Sequence, residues 1–141
     1  MKKLIRVSTD LKVTIHDCPE GGAYRTHNEA FRKLIGEDCE LFEVVKPKRL
    51  YTRILTGLGM KNKRTPLVML VDEEGLLKNL ESNMLGSWLY MTDRHGCPIA
   101  GNVLFVGTEY SGMGIDICGI QEDMAEALGE ELKKVIERIA G

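Results

Sequence analysis

Residues 66–107 have the sequence PLVMLVDEEGLLKNLESNMLGSWLYMTDRHGCPIAGNVLFVG, and this segment contains the signals that decide the fold. Two almost wholly apolar runs, 67–71 and 102–106, enclose it. Each predicts a β-strand, since short apolar runs bounded by turn residues are typical of buried strands. A strand that is apolar on both faces needs neighbours on both faces. We therefore expect 67–71 to be a central strand against which the rest of the chain packs.

Between these two strands the sequence predicts a tight turn and then a helix. The turn is Asp-Glu-Glu-Gly at 72–75, where Gly75 is expected to supply the positive φ that closes it. Ser82 or Asn83 can cap the helix, because either side chain can accept a hydrogen bond from a backbone N–H of the first turn. Trp88, the only tryptophan of the chain, lies on the apolar face of this helix.

The rest of the chain alternates short strands and helices. Further strands are predicted at 4–7, 13–16, 41–45, 50–55 and 115–120, helices at 26–35 and 121–139, and a polar loop at 92–98. This order predicts an α+β fold: a single mixed or antiparallel sheet of about five to seven strands, with two short helices and a longer C-terminal helix. A chain of 141 residues is expected to form one domain, 1–141, with a basic loop at 46–65.

The composition is that of an ordinary globular protein. Hydrophobic residues make up 43% of the chain and charged residues 28%, which argues against a largely disordered protein. The N-terminus lacks the apolar stretch of a signal peptide, and no segment reaches the roughly 20 apolar residues of a membrane span. We therefore expect a cytoplasmic protein with no membrane partner, in which the four cysteines are free thiols.

Charge is distributed unevenly along the chain. The net charge is −2, but residues 44–71 carry seven Lys and Arg and no acidic residue. The candidate ligand-binding residues of this basic segment are Lys46, Lys48, Arg49, Tyr51, Arg53, Lys61, Lys63 and Arg64. Arginine forks onto phosphate and tyrosine stacks on a base, so the segment predicts a site for a nucleotide or for single-stranded nucleic acid. The alternative is a solvated basic loop beside an acidic C-terminal helix, with its charges balanced internally or across a dimer.

Other groups of reactive residues predict neither a catalytic nor a metal site. His16 with Cys18 and His95 with Cys97 would offer zinc four ligands if they met in space, but zinc ligands usually have two or more residues between them. No cysteine has a nucleophile signature around it, and neither Gly-x-Gly fragment opens a helix as a dinucleotide fingerprint requires. We therefore expect a protein that is not an enzyme and that has no cofactor and no bound metal.

The order of short motifs resembles a domain family of unknown function found in phages, prophages and conjugative elements of bacteria. The motifs are VDEEGLLKNLESN, SWLY, PIAGNVLFVG and DICGIQEDM, and the matching positions are Asp72, Glu73, Glu74, Gly75, Leu77, Asn83, Leu89, Tyr90, Gly101, Asn102 and Gly107. The chain departs from the family at 46–65, where it carries a longer basic insertion. The resemblance implies an accessory protein of a mobile element in a bacterial cytoplasm. Within the motifs, Asn83, Tyr90 and Asn102 are secondary candidates for a site.

Three functions are compatible with these features. The first is a non-enzymatic accessory binding protein that acts in counter-defence by capturing a protein partner or a phosphate-bearing nucleotide. The second is a nucleic-acid-binding accessory protein that uses residues 46–64, and the third is a structural or interaction domain without a ligand. Homo-oligomers are a further expectation, because the apolar stripe of 121–139 is broad and the edge strands of so small a domain need cover.

Overall fold

The computed structural model of the protein describes residues 1–20, 24–55, 67–112 and 114–140. Within these residues the chain forms one sheet with helices on both faces, which confirms the predicted α+β fold. The strands are β1 (Lys3–Val7), β2 (Val13–Asp17), β3 (Phe42–Val45), β4 (Leu67–Asp72), β5 (Val103–Ser111) and β6 (Gly114–Cys118). The helices are α1 (Tyr24–Ile35), α2 (Met84–Leu89), α3 (Thr92–His95) and α4 (Glu122–Ala140), and a π-helix spans Leu50–Leu55.

The strands of the sheet are antiparallel and follow the order β2-β1-β5-β4-β3. β5 is the longest strand: its first half pairs with β1 and β4, and its second half pairs with β6. β6 lies on the same side of β5 as β1, and an isolated bridge between Lys3 and Ile120 connects β1 to the residues after β6. In the part of the chain that is described, β2 and β3 are therefore the two ends of the sheet.

Both faces of the sheet are covered, so the core has two parts. The larger part lies beneath α2, α4 and the π-helix, where Leu50, Leu85 and Leu132 are wholly buried. The smaller part lies beneath α1, whose Phe31 belongs to the same buried cluster as Val68 of β4. Burying a side chain of this size contributes about 1.5–3 kcal/mol. β4 is buried along its whole length and paired on both sides, which confirms the predicted central strand.

The strand predicted at 50–55 is wrong, because these residues form the π-helix. Leu50 and Ile54 are both buried, at 0% and 4% exposure. In a strand Thr52 would share their face, since alternate side chains point the same way, yet Thr52 is exposed. A helix buries the two apolar side chains without burying the hydroxyl between them. Residues 50–55 of the predicted basic loop at 46–65 are thus helical, and its residues 56–65 lie outside the described residues.

Gly75 is needed in the turn after β4 for a reason other than the predicted one. Its φ is not positive, whereas Asn79 later in the same turn has a φ of 56°. A Cβ on Gly75 would lie 2.8 Å from the carbonyl oxygen of Ala100 and 3.3 Å from that of Asp72. Close approach of two backbone segments, rather than left-handed geometry, excludes a side chain here. The Asp72 carboxylate stabilises the turn by accepting a hydrogen bond from the Glu74 N–H at 2.8 Å.

The remaining helices agree with the sequence except at 92–98. The predicted C-terminal helix is confirmed as α4. Of the two capping candidates for α2, Asn83 is the cap, and its side chain accepts a hydrogen bond from the Gly86 N–H. Residues 92–98 begin with the short helix α3 instead of forming a loop throughout.

Candidate ligand-binding surface

Three of the predicted ligand-binding cations are exposed between the end of β3 and the end of the π-helix. They are Lys46, Lys48 and Arg53. Across the described ranges, none of the three side chains takes part in an ion pair or a hydrogen bond. Cations clustered along eight residues of chain create a local positive potential, which attracts anions from solution.

Arg49 differs from these cations because its guanidinium is already occupied. Nη1 and Nη2 donate to the two carboxylate oxygens of Asp93 at 2.6 and 2.8 Å, and Nη1 also donates to the Trp88 carbonyl at 2.9 Å. The guanidinium lies 5.2 Å from the centre of the Trp88 ring, within the range of a cation–π interaction. The Asp93 hydrogen bond raises the pKa of Arg49, and the same bond lowers the pKa of Asp93. Arg49 therefore fastens the start of the π-helix to α2 and α3 and does not offer an open fork to a phosphate.

Tyr51 is also engaged within the chain. Its phenol donates a hydrogen bond to the carbonyl oxygen of Leu67, and burial raises the pKa of the phenol. This contact holds the π-helix against the start of β4, so the ring position is set by the fold. The remaining predicted site residues, Lys61, Lys63 and Arg64, lie outside the described residues.

A groove of about 390 Å³ opens beside Arg49, and we call it the Trp88 groove. It is lined by Arg49, Ser82, Met84, Ser87, Trp88, Thr92, Asp93, Pro98 and Ile139. Met84 is 51% exposed, which leaves a flexible apolar side chain open to solvent at this surface. Small-molecule sites have volumes of about 300–1,000 Å³ and combine apolar walls with a few polar groups, as this groove does. Sequence reasoning missed the groove because its walls come from segments far apart in the chain.

Asn83, a secondary site candidate, lies inside the protein rather than at a surface. It is 0% exposed. Its Nδ2 donates to the carbonyls of Val7 and Gly101, at 3.1 Å each, while its Oδ1 accepts from the Gly86 N–H at 2.9 Å. The amide thus joins β1, the segment before β5 and the start of α2, and these contacts use its donors and its acceptor.

The other two secondary candidates also make contacts within the fold. Asn102 donates to the Ile35 carbonyl at 2.7 Å and accepts from the Thr9 N–H at 3.1 Å. The Tyr90 ring packs edge-on against His95, with 4.6 Å between the ring centres. Neither side chain lines the Trp88 groove. The structure therefore does not bring the secondary candidates together with the exposed cations.

The two His-x-Cys pairs have separate surroundings. His16 Nε2 lies 2.8 Å from the Thr14 hydroxyl, and His95 Nε2 lies 3.0 Å from the Tyr90 carbonyl. Burial raises the pKa of the Cys18 thiol, which disfavours the thiolate that binds metal. Over the residues that the structure describes, no group of three or more His, Cys, Asp or Glu could hold a metal ion.

A buried ion pair at the end of β4 was not predicted. Asp72 is 4% exposed, and Lys78 Nζ lies 2.7 Å from its Oδ2 and 2.7 Å from the Asp38 carbonyl. The hydrogen bond to Asp72 is the largest cause of the raised pKa of Lys78. A second cavity of about 230 Å³ borders Asp72 and Asn102. Because every buried polar side-chain atom among the described residues has a partner, the cluster fits a structural role.

None of the described helices is both long enough and apolar enough to cross a membrane. The structure thus brings an apolar groove close to part of the predicted basic site, while Asn83, Tyr90 and Asn102 serve the fold. No protein-family model, no curated protein and no solved structure matches this chain, so its resemblance to a family of mobile-element proteins stays a prediction.

Proposed function

We propose that the protein is a non-enzymatic accessory binding protein of a phage or mobile element, and that it captures a nucleotide. The nucleotide would bind where the Trp88 groove meets the exposed cations Lys46, Lys48 and Arg53. The observation that carries the proposal is the position of Arg49. This residue lines the groove, directly follows Lys48, and precedes Arg53 by four residues, about one turn of the π-helix.

The groove would take the base and the sugar. Trp88, Met84 and Ile139 supply apolar surface for a planar ring, and the hydroxyls of Ser82 and Thr92 supply acceptors at the same surface. A volume of about 390 Å³ suits a nucleoside. Apolar walls with a few fixed polar groups give orientation as well as affinity, which a nucleotide-binding site needs.

The exposed cations would take the phosphates. Arg49 is neutralised by Asp93, so charge recognition falls to Lys46, Lys48 and Arg53. Lysine side chains are flexible point charges, which suits a phosphate chain that leaves the groove at a variable angle. Because the chain as a whole has a net charge of −2, a nucleotide would be attracted by this local cluster rather than by the molecule in general.

A binding role, rather than a reaction, also fits the resemblance to mobile-element accessory proteins. A protein that sequesters a nucleotide signal of a host defence system needs affinity and a matching shape. The Trp88 groove and its neighbouring cations supply both in this proposal, and no residue in the groove is assigned a catalytic role.

Intrinsic fluorescence offers a direct test, because Trp88 is the only tryptophan and lies in the groove wall. We expect adenine or guanine nucleotides, linear or cyclic, to change the fluorescence saturably, and the corresponding nucleosides and inorganic phosphate to bind more weakly. Replacing Lys46, Lys48 and Arg53 together by alanine should weaken nucleotide binding roughly tenfold or more, since each exposed charge contact contributes up to about 1 kcal/mol.

The matched control replaces three cations from elsewhere in the chain, Lys12, Lys33 and Lys134, by alanine. None of them lines the groove, and their removal changes the net charge by the same amount. A local site predicts unchanged affinity in this control, whereas general electrostatic attraction predicts an equal loss in both triple variants. Equal losses, or no fluorescence change with any nucleotide, would contradict the proposal. Circular dichroism checks that both variants are folded.

Single-stranded nucleic acid is the second candidate ligand, because the exposed cations follow one another along a single stretch of chain. A strand that neutralises several of them would release counterions, so its affinity would fall steeply as salt rises. Oligothymidylate that binds more tightly than every mononucleotide, with such a salt dependence, would favour this candidate over the nucleotide.

A further inference from the structure

We propose that two copies of this chain associate through β3, with the two β3 strands antiparallel across a two-fold axis at Val44. The pairing would join the two sheets into one continuous sheet. The interface does not rest on the proposed nucleotide site, and its tests use the protein without any ligand.

Among the described residues, β3 has a strand on one side only, which leaves its other edge for a second copy. β3 lies at the end of the sheet, and the strand beside it is β4. The Leu41 carbonyl accepts a hydrogen bond from the Glu73 N–H at 3.0 Å, and these two residues directly precede and follow the opposed pair Phe42 and Asp72. Residues bonded to a neighbouring strand alternate along an antiparallel pair, so Glu43 also faces β4. The N–H and C=O groups of Phe42 and Val44 must therefore point away from the sheet.

The same edge carries unusually exposed apolar side chains. Val44 is 54% exposed although it stands opposite Leu70 of β4, and Leu41, the residue before β3, is 56% exposed. Phe42 is only partly buried, against Phe31 of α1. Natural proteins usually protect an open edge with charge, a bulge or a covering element, because unpaired backbone groups invite another strand. An apolar open edge is what a strand-pairing interface requires.

Charge complementarity selects a second copy as the partner. Residues 40–48 have the sequence ELFEVVKPK, with two acids before Val44 and two cations after it. Two such segments running antiparallel place the acidic half of each against the basic half of the other. The four charged side chains are exposed and have no ion pair among the described residues: Glu40, Glu43, Lys46 and Lys48.

The charges also fix the register. With Val44 opposite Val44 of the second copy, Phe42 lies opposite Lys46. Glu40 of one copy and Lys48 of the other then lie at the same end of the paired strands, beyond the residues of β3, where Lys48 begins the helical segment that leads into the π-helix. In this register the outward backbone groups of Val44 meet their equivalents and can exchange two hydrogen bonds. A register centred one residue earlier would place Glu43 directly opposite Glu43, and like charges at opposed positions destabilise a pair of strands.

Analytical ultracentrifugation of the wild-type protein over a wide concentration range is the first measurement. We expect a reversible dimer with twice the 15.8 kDa mass of the chain. Val44→Pro should give a folded monomer, because proline removes an N–H that points away from β4 and leaves the bonds within the subunit in place. Val44→Thr is the matched control: it keeps the N–H and the branched shape, so the variant should remain dimeric.

Charge reversal supplies a second test that does not alter the strand. Glu40→Lys and Lys48→Glu should each raise the dimer dissociation constant roughly tenfold, since each reversal turns two attractive contacts into repulsive ones. The double variant restores opposite charges and should regain most of the wild-type affinity. A wild-type protein that stays monomeric at every concentration overturns the proposal. A Val44→Pro variant that still dimerises, or a double variant weaker than both single ones, overturns it equally.

Discussion

At the scale of the residue, Asn83 connects three separate parts of the chain through one buried amide. Asn83→Ala would leave the carbonyls of Val7 and Gly101 and the N–H of Gly86 without their side-chain partner. Buried groups that lose a partner cost about 1–3 kcal/mol each, although water entering the cavity recovers part of that. We expect the free energy of unfolding in urea to fall by about 3 kcal/mol, which circular dichroism would follow.

Ser82 provides the matched control for this prediction. It precedes Asn83, was the other capping candidate, and is exposed. Ser82→Ala should change the free energy of unfolding by less than about 0.5 kcal/mol, as is usual for surface substitutions. Similar losses in the two variants would mean that the buried amide of Asn83 does not hold these segments together.

The capping role of Asn83 was predictable from sequence, but its burial was not. An asparagine just before a run of apolar residues at helical spacing is a local signal. The hydrogen bond to Val7 joins residues that are 76 positions apart in the chain. A local sequence pattern does not predict which strand will lie beside the first turn of a helix. For the same reason the sequence predicted Asn102 as a candidate site residue, whereas in the fold it bonds Ile35 from 67 positions away and has a structural role.

At the scale of the element, the Arg49–Asp93 ion pair connects the start of the π-helix to α3. Asp93→Asn removes the carboxylate and keeps its shape. Because Arg49 lowers the pKa of Asp93 below its ordinary value of 3.8, the pair stabilises the folded state above that pH. This contribution is lost as the pH falls through the lowered pKa. We expect the wild type to be modestly more stable than the variant at neutral pH, and the difference to disappear in strong acid.

Urea unfolding at a series of pH values measures this difference. Glu137→Gln is the control, because Glu137 is exposed on α4 and has no ion pair in the described ranges. Its difference from the wild type should stay close to zero across the pH series. A stability difference between wild type and Asp93→Asn that does not change with pH would mean that the carboxylate charge contributes nothing.

Elements whose apolar residues follow the pattern of one secondary structure were predictable, and elements that fit both a strand and a helix were not. β4 is apolar up to Asp72 at its end and α4 keeps a long helical stripe, so only one structure buries each of them. Residues 50–55 fit a strand because alternate residues would lie on the same face, and they fit a helix because Leu50 and Ile54 are four positions apart. In the structure they form a helix, which packs both side chains beneath the sheet. The Trp88 groove was beyond prediction, because Arg49 and Asp93 are 44 positions apart.

At the scale of the whole molecule, the unequal distribution of charge is only partly balanced by the fold. Within the described residues, the basic segment 44–71 meets the acidic part of the chain at Arg49 and Asp93. Lys46 and Lys48 remain exposed, and both proposals use them. A nucleotide phosphate and Glu40 of a second copy would therefore compete for the same lysines.

This competition has a measurable consequence, because linkage between two binding events is reciprocal. If phosphates and Glu40 exclude each other from Lys48, a saturating nucleotide should raise the dimer dissociation constant several-fold, and dimer formation should weaken nucleotide binding by the same factor. Sedimentation with and without nucleotide measures the first effect, and Trp88 fluorescence at low and high protein concentration measures the second.

The monomeric variant Val44→Pro separates the two sites in this experiment. It keeps both lysines and cannot pair through β3, so it should bind nucleotide as tightly as the wild-type monomer does, and equally tightly at every protein concentration. Glu40→Gln should reduce the coupling as well, because it removes the competing carboxylate from the interface. A wild-type dimer whose dissociation constant is unchanged by saturating nucleotide would show that the lysines do not serve both partners, and the ligand phosphates would then have to rely on Arg53.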